Sequence, residues 1–188
     1  MLRLFLNLYW KLYGWKLSGN FPYQYKKMVL AVAPHTHWAD VMVGFAARSK
    51  MQIPHAKFLG KKELFVGPLG WILKAMGGTP VDRFSKHGMV DQVAALFAAN
   101  DNFILGLSPE GTRKRVNTLR TGFYYIAKKA GVPIVPIGFD YANKLVIIGD
   151  AFFPGDDEAE DLKKIISFYS NIKGKNPMLD LRHLKDSI

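Results

Sequence analysis

Two residues that could carry out acid–base chemistry, His35 and Asp40, stand five positions apart where an apolar run ends. A buried strand predicted over 28–33 would deliver His35 to its end, and Pro34 would stop that strand. On one regular helix, residues five apart lie about 140° apart, so the pair could not touch there. We therefore predict that His35 precedes a helix and that Asp40 lies in its first turn. A carboxylate could then hold one ring nitrogen while the other faces a substrate hydroxyl, as a general base requires.

Three further blocks resemble parts of a binding site. Residues 108–113 read Ser-Pro-Glu-Gly-Thr-Arg and follow a second predicted buried strand. An acid and an arginine around a Pro/Gly turn at a strand end are typical of a site for an anion or a polyol. Residues 77–83, Gly-Gly-Thr-Pro-Val-Asp-Arg, again combine a turn with an arginine, and residues 132–138 read Val-Pro-Ile-Val-Pro-Ile-Gly.

The four blocks, taken in this order over roughly residues 30–140, resemble the motifs of the glycerolipid acyltransferases. The resemblance implies an O-acyltransferase that moves a fatty acyl group from acyl carrier protein or acyl-CoA to a lysolipid hydroxyl. The implied acceptor is 1-acyl-glycerol-3-phosphate, and the product is phosphatidic acid. No metal or other cofactor is expected beyond the acyl thioester co-substrate.

The resemblance also implies a role for each motif residue. His35 is the expected general base, and Asp40 is expected to fix its tautomer and stabilise the imidazolium. No serine lies in a Gly-x-Ser-x-Gly elbow, so we predict direct transfer without an acyl-enzyme. Arginines suit the acceptor's phosphate because a guanidinium binds it through two donors. The expected substrate-binding residues are Lys61, Arg83, Glu110, Gly111, Thr112 and Arg113.

Two other functions stay open at this stage. Pro34, His37 and Ser108 depart from the family pattern, which allows another acceptor such as a lyso-amino-acid lipid. A non-catalytic basic module that binds membrane or nucleic acid would explain the charge but leave the four motifs as coincidence. Because the aromatic residues are not interleaved with basic ones as on a base-stacking platform, we expect no nucleic-acid partner.

The composition excludes several kinds of chemistry. The chain has 188 residues and no cysteine, so disulfides, thiolate metal sites and a cysteine nucleophile are ruled out. Its net charge is +11, and no acidic residue precedes Asp40. The stretch 113–129 is also basic and contains no acid. This asymmetry suits an anionic membrane surface or an acidic carrier protein.

The N-terminal residues predict an amphipathic helix. Arg3, Asn7 and Lys11 form one narrow polar stripe on an otherwise apolar and aromatic segment. The segment is too short to span a bilayer, which needs about 20 apolar residues. We predict an interfacial helix, with packing against the domain as the alternative. The expected organisation is a membrane-associating helix over 1–20 and one acyltransferase domain over 21–188. The expected location is the cytoplasmic face of the inner membrane, peripheral or monotopic.

The rest of the chain alternates between strand and helix patterns. Strands are predicted over 28–33, 56–60, 81–84, 103–107, 134–139 and 144–148, and helices over 39–49, 68–76, 89–99, 121–130 and 157–170. This order predicts an α/β fold with a mainly parallel central sheet flanked by helices, and with an antiparallel edge. Because parallel strands share one carboxyl edge, we expect His35 and Glu110 on the same side of the sheet.

Overall fold

The structure, a computed structural model, describes residues 2–82 and 88–187 of the chain. Its strands are β1 (Lys16–Ser18), β2 (Lys27–Ala33), β3 (Lys57–Lys61), β4 (Gly78–Val81), β5 (Phe103–Leu107), β6 (Ile134–Asp140) and β7 (Leu145–Ile148). Its α-helices are α1 (Leu2–Leu12), α2 (Ala39–Lys50), α3 (Gly67–Ala75), α4 (Gly88–Ala99), α5 (Gly122–Ala130) and α6 (Glu158–Tyr169). Short 3₁₀ helices cover Lys62–Phe65 and Arg182–Ser187.

In the described residues the strands form one sheet, in the order β1-β7-β6-β2-β5-β3-β4. Neighbouring strands are parallel except β6 and β7, so the predicted α/β class and mainly parallel sheet are confirmed. The antiparallel strand β7 is not itself the edge, because β1 pairs with its outer side. In β2, Ala31 stands opposite Leu107 of β5 and Pro136 of β6. The loops after β2 and β5 therefore leave the same edge of the sheet, as predicted.

The central strands are apolar along nearly their whole length because both faces of the sheet are covered. Helices α1 and α2 pack on one face, where Trp10 and Val43 lie in the core. Helices α4, α5 and α6 pack on the other face around Phe97, Tyr124 and Tyr169. Residue Gly131 adopts a positive φ of 63° and ends α5 where the sequence predicted.

One predicted strand is wrong in its position. The sequence favoured a strand over 81–84, but β4 covers Gly78–Val81 and pairs in register with β3 from Phe58 to Lys61. The run Gly-Gly-Thr-Pro is typical of a turn. In the structure β4 is an edge strand, where a proline is tolerated because its missing N–H is not needed to bond a further strand. Residues 83 and 84 lie outside the described residues. The sequence analysis also missed β1, whose three exposed residues carry no alternating pattern.

Helix α1 packs against the domain on one side and is exposed on another. Leu6 and Trp10 are buried against the domain, next to α2. Another side of the helix exposes large apolar residues to solvent, namely Leu4, Phe5, Leu8 and Leu12. No helix in the described ranges is long and apolar enough to cross a membrane. The interfacial role of α1 and the division at residue 20 stay predictions.

Candidate active site

The loop between β2 and α2 brings His35 and Asp40 together. Strand β2 ends at Ala33 and α2 begins at Ala39, so His35 precedes the helix and Asp40 lies in its first turn. The distance from His35 Nδ1 to Asp40 Oδ2 is 3.4 Å. Asp40 is only 2% exposed, whereas the His35 side chain is partly open to solvent. This is the placement that the five-residue spacing predicted.

Asp40 is surrounded by hydrogen-bond donors. Its Oδ2 accepts the backbone N–H groups of Thr36 and His37, each at 2.7 Å, and its Oδ1 accepts the Tyr141 hydroxyl at 2.7 Å. Burial acts to raise the pKa of the Asp40 carboxyl, but hydrogen bonds from His35, Tyr141 and His37 outweigh it, so its pKa lies below the ordinary value. Asp40 is therefore an ionised, fixed partner for the imidazole.

Tyr141 is a member of the site that the sequence analysis missed. It follows β6 directly, and its ring meets Trp15 edge-on with centroids 4.9 Å apart. Its backbone N–H donates to Lys173, which ties it to the C-terminal segment as well. Burial, and then the hydrogen bond to Asp40, raise the pKa of Tyr141, so the hydroxyl remains a donor. Only its position after a central parallel strand could have marked it in the sequence.

The second ring nitrogen of His35 faces Arg113. The Nε–H of Arg113 donates to His35 Nε2 over 3.2 Å. Because a guanidinium has donors only, Nε2 is the unprotonated nitrogen in this contact, and Nδ1 carries the proton toward Asp40. This is the tautomer that a general base needs. Arg113 is exposed, and within the described residues it forms no ion pair with a carboxylate.

Glu110 holds the backbone of His35. Both of its carboxylate oxygens accept the His35 N–H, at 3.0 and 2.8 Å, and Ser108 Oγ donates to Oε2 at 2.9 Å. The side chain is 1% exposed. Burial raises the pKa of Glu110 to about 7, although the donors from His35 and Ser108 act to lower it. The expected contact of Glu110 with the acceptor stays a prediction; in this structure its carboxylate accepts from the loop that carries the base.

Of the remaining predicted residues, the structure describes Gly111, Thr112 and Lys61. Gly111 has a positive φ of 62° and lines the cavity described below. Thr112 Oγ1 accepts the backbone N–H of Lys114 at 3.2 Å, which shapes the turn. Lys61 is the exposed last residue of β3. Arg83 lies outside the described residues.

A cavity of about 780 Å³ opens beside His35 and is mostly apolar. Its polar end contains His35, Asp40, Ser108 and Gly111. Its walls come from α2, β3, α3 and β6 and include Val41, Phe45, Met51, Phe58, Leu59, Leu73, Met76, Ile137 and Phe139. The shape and lining fit an extended apolar group attached to a polar reacting end.

Arg120 lines the cavity and is a second candidate that the sequence analysis did not single out. Its side chain packs over Gly111, where an added Cβ would come within 2.6 Å of Arg120 Cδ. Its backbone N–H donates to Pro109 at 2.7 Å, so the start of α5 is tied to the motif loop. A usable signal was its place in the basic stretch that begins at Arg113.

Comparisons with known proteins identify the family of this chain. The family model described as Acyltransferase matches residues 16–140. A 1-acyl-sn-glycerol-3-phosphate acyltransferase of Haemophilus influenzae is 31% identical over 142 residues, which cover 72% of this chain and 58% of that protein. A chloroplastic 1-acyl-sn-glycerol-3-phosphate acyltransferase of Brassica napus is 33% identical over 98 residues, 50% of this chain and 28% of that protein. The chain thus matches only part of each relative's length.

A solved structure shares the fold. The 1-acyl-sn-glycerophosphate acyltransferase of Thermotoga maritima superposes with a TM-score of 0.60 at 16% identity. The superposition covers 98% of this chain and 77% of that one. Because the family model alone spans more than half of the sequence, the chain belongs to the acyltransferase family.

Proposed function

We propose that this protein transfers a fatty acyl group from an acyl thioester to the hydroxyl of 1-acyl-glycerol-3-phosphate, forming phosphatidic acid. One observation carries the proposal: His35 is held between Asp40 and Glu110 at the polar end of a large apolar cavity. The names of the relatives support the choice of acceptor.

The proposed transfer needs one general base and one nucleophilic attack by the acceptor hydroxyl. His35 Nε2 takes the proton of the acceptor hydroxyl while that oxygen attacks the thioester carbonyl carbon. Asp40, ionised and fixed by its donors, stabilises the imidazolium that forms. As the tetrahedral intermediate collapses, the C–S bond breaks and the ester remains on the acceptor. The imidazolium then returns its proton to the leaving thiolate, and His35 is again neutral.

Arg113 links recognition of the acceptor to release of the base. Its Nε–H occupies the His35 Nε2 lone pair that the hydroxyl proton must reach. A phosphate on the acceptor would draw the guanidinium away, since an arginine–phosphate pair is stronger than a bond to a neutral ring nitrogen. Arg120 lies close enough to the same loop to serve as a second phosphate ligand. Lys61 and Arg83 remain proposed ligands on the strength of the family motif.

The cavity would hold the acyl chain of the donor, while acyl carrier protein or CoA stays outside. The basic stretch 113–129 suits either donor, because both are acidic. The membrane that contains the acceptor is the proposed place of action, at its cytoplasmic face. No organic cofactor or metal takes part in this scheme.

The test offers purified protein a mixture of lysolipids together with acyl-CoA or acyl carrier protein thioester, and identifies products by mass spectrometry. We expect phosphatidic acid as the main product, and we expect His35→Ala to abolish it. Donor binding should survive in that variant, because the imidazole does not line the apolar walls. If the main product is an acylated lyso-amino-acid lipid, the proposed acceptor is wrong. If no acylated lipid forms at all, the proposed function is refuted.

A further inference from the structure

Helix α3 and the turn before it expose a group of large apolar side chains. We call this group the α3 patch; it consists of Leu64, Val66, Leu69, Trp71 and Ile72, which are 48–76% exposed. In the structure Leu73 lines the cavity, whereas Leu69, Trp71 and Ile72 face solvent.

The α3 patch is mounted firmly on the sheet. Phe65, between Leu64 and Val66, is buried beneath the helix. Three glycines leave room for it: an added Cβ on Gly60, Gly70 or Gly78 would lie 2.2–2.8 Å from the nearest Phe65 atom. The exposure of the neighbouring side chains is therefore the result of a specific packing arrangement and does not come from a loosely attached loop.

The patch continues the apolar lining of the cavity. Leu69 and Leu73 are four residues apart on α3, and so are Ile72 and Met76 at the end of the helix. Residues four apart lie on one helix face. Leu73 and Met76 line the cavity, so Leu69 and Ile72 extend its apolar wall onto the surface. Apolar side chains of α3 and of Met76 after it therefore connect the patch with the cavity.

The charges around the patch identify its partner. Residues 61–75 contain Lys61, Lys62 and Lys74 against the single acid Glu63, and all four are exposed. Apolar and tryptophan side chains flanked by lysines are the composition of segments that lie at the interface of an anionic bilayer. A contact with an acidic carrier protein would depend mainly on charge, and would leave the apolar side chains of the patch unexplained.

We propose that the α3 patch docks on an anionic phospholipid bilayer and sets the cavity mouth against the lipid, so that acyl chains enter without crossing water. This proposal rests on the acyltransferase function proposed above. The patch belongs to a different helix from the exposed apolar residues of α1. Helix α3 is the one whose apolar face leads into the cavity.

Vesicle binding by the full chain tests whether the apolar side chains of the α3 patch contribute to docking. The double variant Leu69→Ser with Ile72→Ser should bind phosphatidylglycerol vesicles about tenfold more weakly or worse, because two half-exposed aliphatic side chains no longer enter the lipid. The control is Phe153→Ser. Phe153 is as exposed as Leu69 but follows Phe152, which pairs with Ile134 at the start of the inner strand β6, whereas α3 connects β3 to β4 at the other side of the sheet. Equal binding of the double variant and the control would overturn the proposal.

A charge variant tests the choice of lipid. Lys74→Glu should weaken binding to phosphatidylglycerol vesicles about tenfold and leave binding to phosphatidylcholine vesicles unchanged. If the variants lose binding to acyl carrier protein but all keep vesicle binding, the partner of the patch is a protein and the proposed bilayer docking is wrong.

Activity on dissolved substrates separates this proposal from the proposed function. With lysophosphatidate and a short-chain acyl-CoA below their micelle concentrations, the double variant should react at the wild-type rate, which also shows that it is folded. With substrate embedded in vesicles it should be slow. If the wild type acylates lysophosphatidate but the double variant shows no defect on vesicles, the docking surface is wrong and the function stands. If the wild type acylates nothing and the variants still lose vesicle binding, the function is wrong and the surface stands.

Discussion

Asp40 and Glu110 are both buried against His35, yet the pKa of Asp40 is lowered and the pKa of Glu110 is raised. Asp40 receives two backbone N–H groups, a tyrosine hydroxyl and the imidazole, which together lower its pKa. Glu110 receives one backbone N–H and one serine hydroxyl, and burial raises its pKa to about 7. The difference shows that the number and kind of donors decide the charge of a buried carboxyl.

The two carboxyls also hold different parts of His35. Asp40 contacts the imidazole, which exchanges protons in the proposed reaction, whereas Glu110 contacts the backbone that positions the ring. We therefore expect Asp40 to act through charge and Glu110 through geometry.

The largest effect is expected for Asp40→Asn. The amide cannot stabilise an imidazolium, and it can present its NH₂ to Nδ1 and select the wrong tautomer. We expect kcat to fall about 10²–10⁴-fold. Glu110→Gln should lower kcat less than tenfold, because the amide oxygen still accepts the His35 N–H. Steady-state kinetics of both variants test the contrast, and equal losses would remove the proposed division of roles.

Arg113→Ala removes the proposed ligand of the acceptor phosphate, together with the bond that occupies His35 Nε2. Loss of a charge-assisted contact of about 1.5–3 kcal/mol corresponds to roughly 10–150-fold in kcat/KM for lysophosphatidate. The KM for the acyl donor should change little. Arg113→Lys should restore part of the activity, since it keeps the charge but loses the planar pair of donors. An equal loss toward a neutral-headgroup lysolipid would make Arg113 a support for the loop and not a phosphate ligand.

A smaller effect is expected for Tyr141→Phe, which removes one donor from Asp40 and keeps the ring against Trp15. We expect kcat to fall about tenfold with KM unchanged, as for loss of one hydrogen bond to a charged group. The Asp40 pKa, held low partly by this bond, should rise, so acid unfolding should begin at higher pH. Tyr125→Phe is the control, because the Tyr125 hydroxyl donates to Glu158 in an exposed hydrogen bond. Similar kinetics for both variants would leave Tyr141 with a packing role only.

The smallest effect on rate, but a distinct effect on stability, is expected for Glu110→Gln. A carboxyl whose folded pKa is about 7 instead of 4.5 binds more protons in the folded state between these values. Its contribution to stability is therefore lost as pH rises through this window. The free energy of unfolding of wild type relative to Glu110→Gln should fall by about 3 kcal/mol from pH 4.5 to 8, measured by urea unfolding. Parallel pH profiles for the two proteins would contradict the raised pKa of Glu110.

Much of the secondary structure could be predicted from local sequence patterns. Strand and helix periods, the proline after β2 and the glycine after α5 act within a few residues of where they stand. The contact between His35 and Asp40 belongs to the same class, because one turn and the first turn of a helix are enough to make it. Parallel strands then required that the loops after β2 and β5 share an edge.

Contacts between distant parts of the chain were decided only by the tertiary structure. Glu110 is 75 residues from His35, and Tyr141 is 101 residues from Asp40. Which donor meets which oxygen depends on the strand order and register of the whole sheet, and no local pattern encodes these. The same holds for α3: its sequence is apolar, but Phe65 packs beneath the helix while Leu69 and Ile72 face solvent. Local sequence determines elements and short contacts, whereas burial and partners depend on packing across the whole domain.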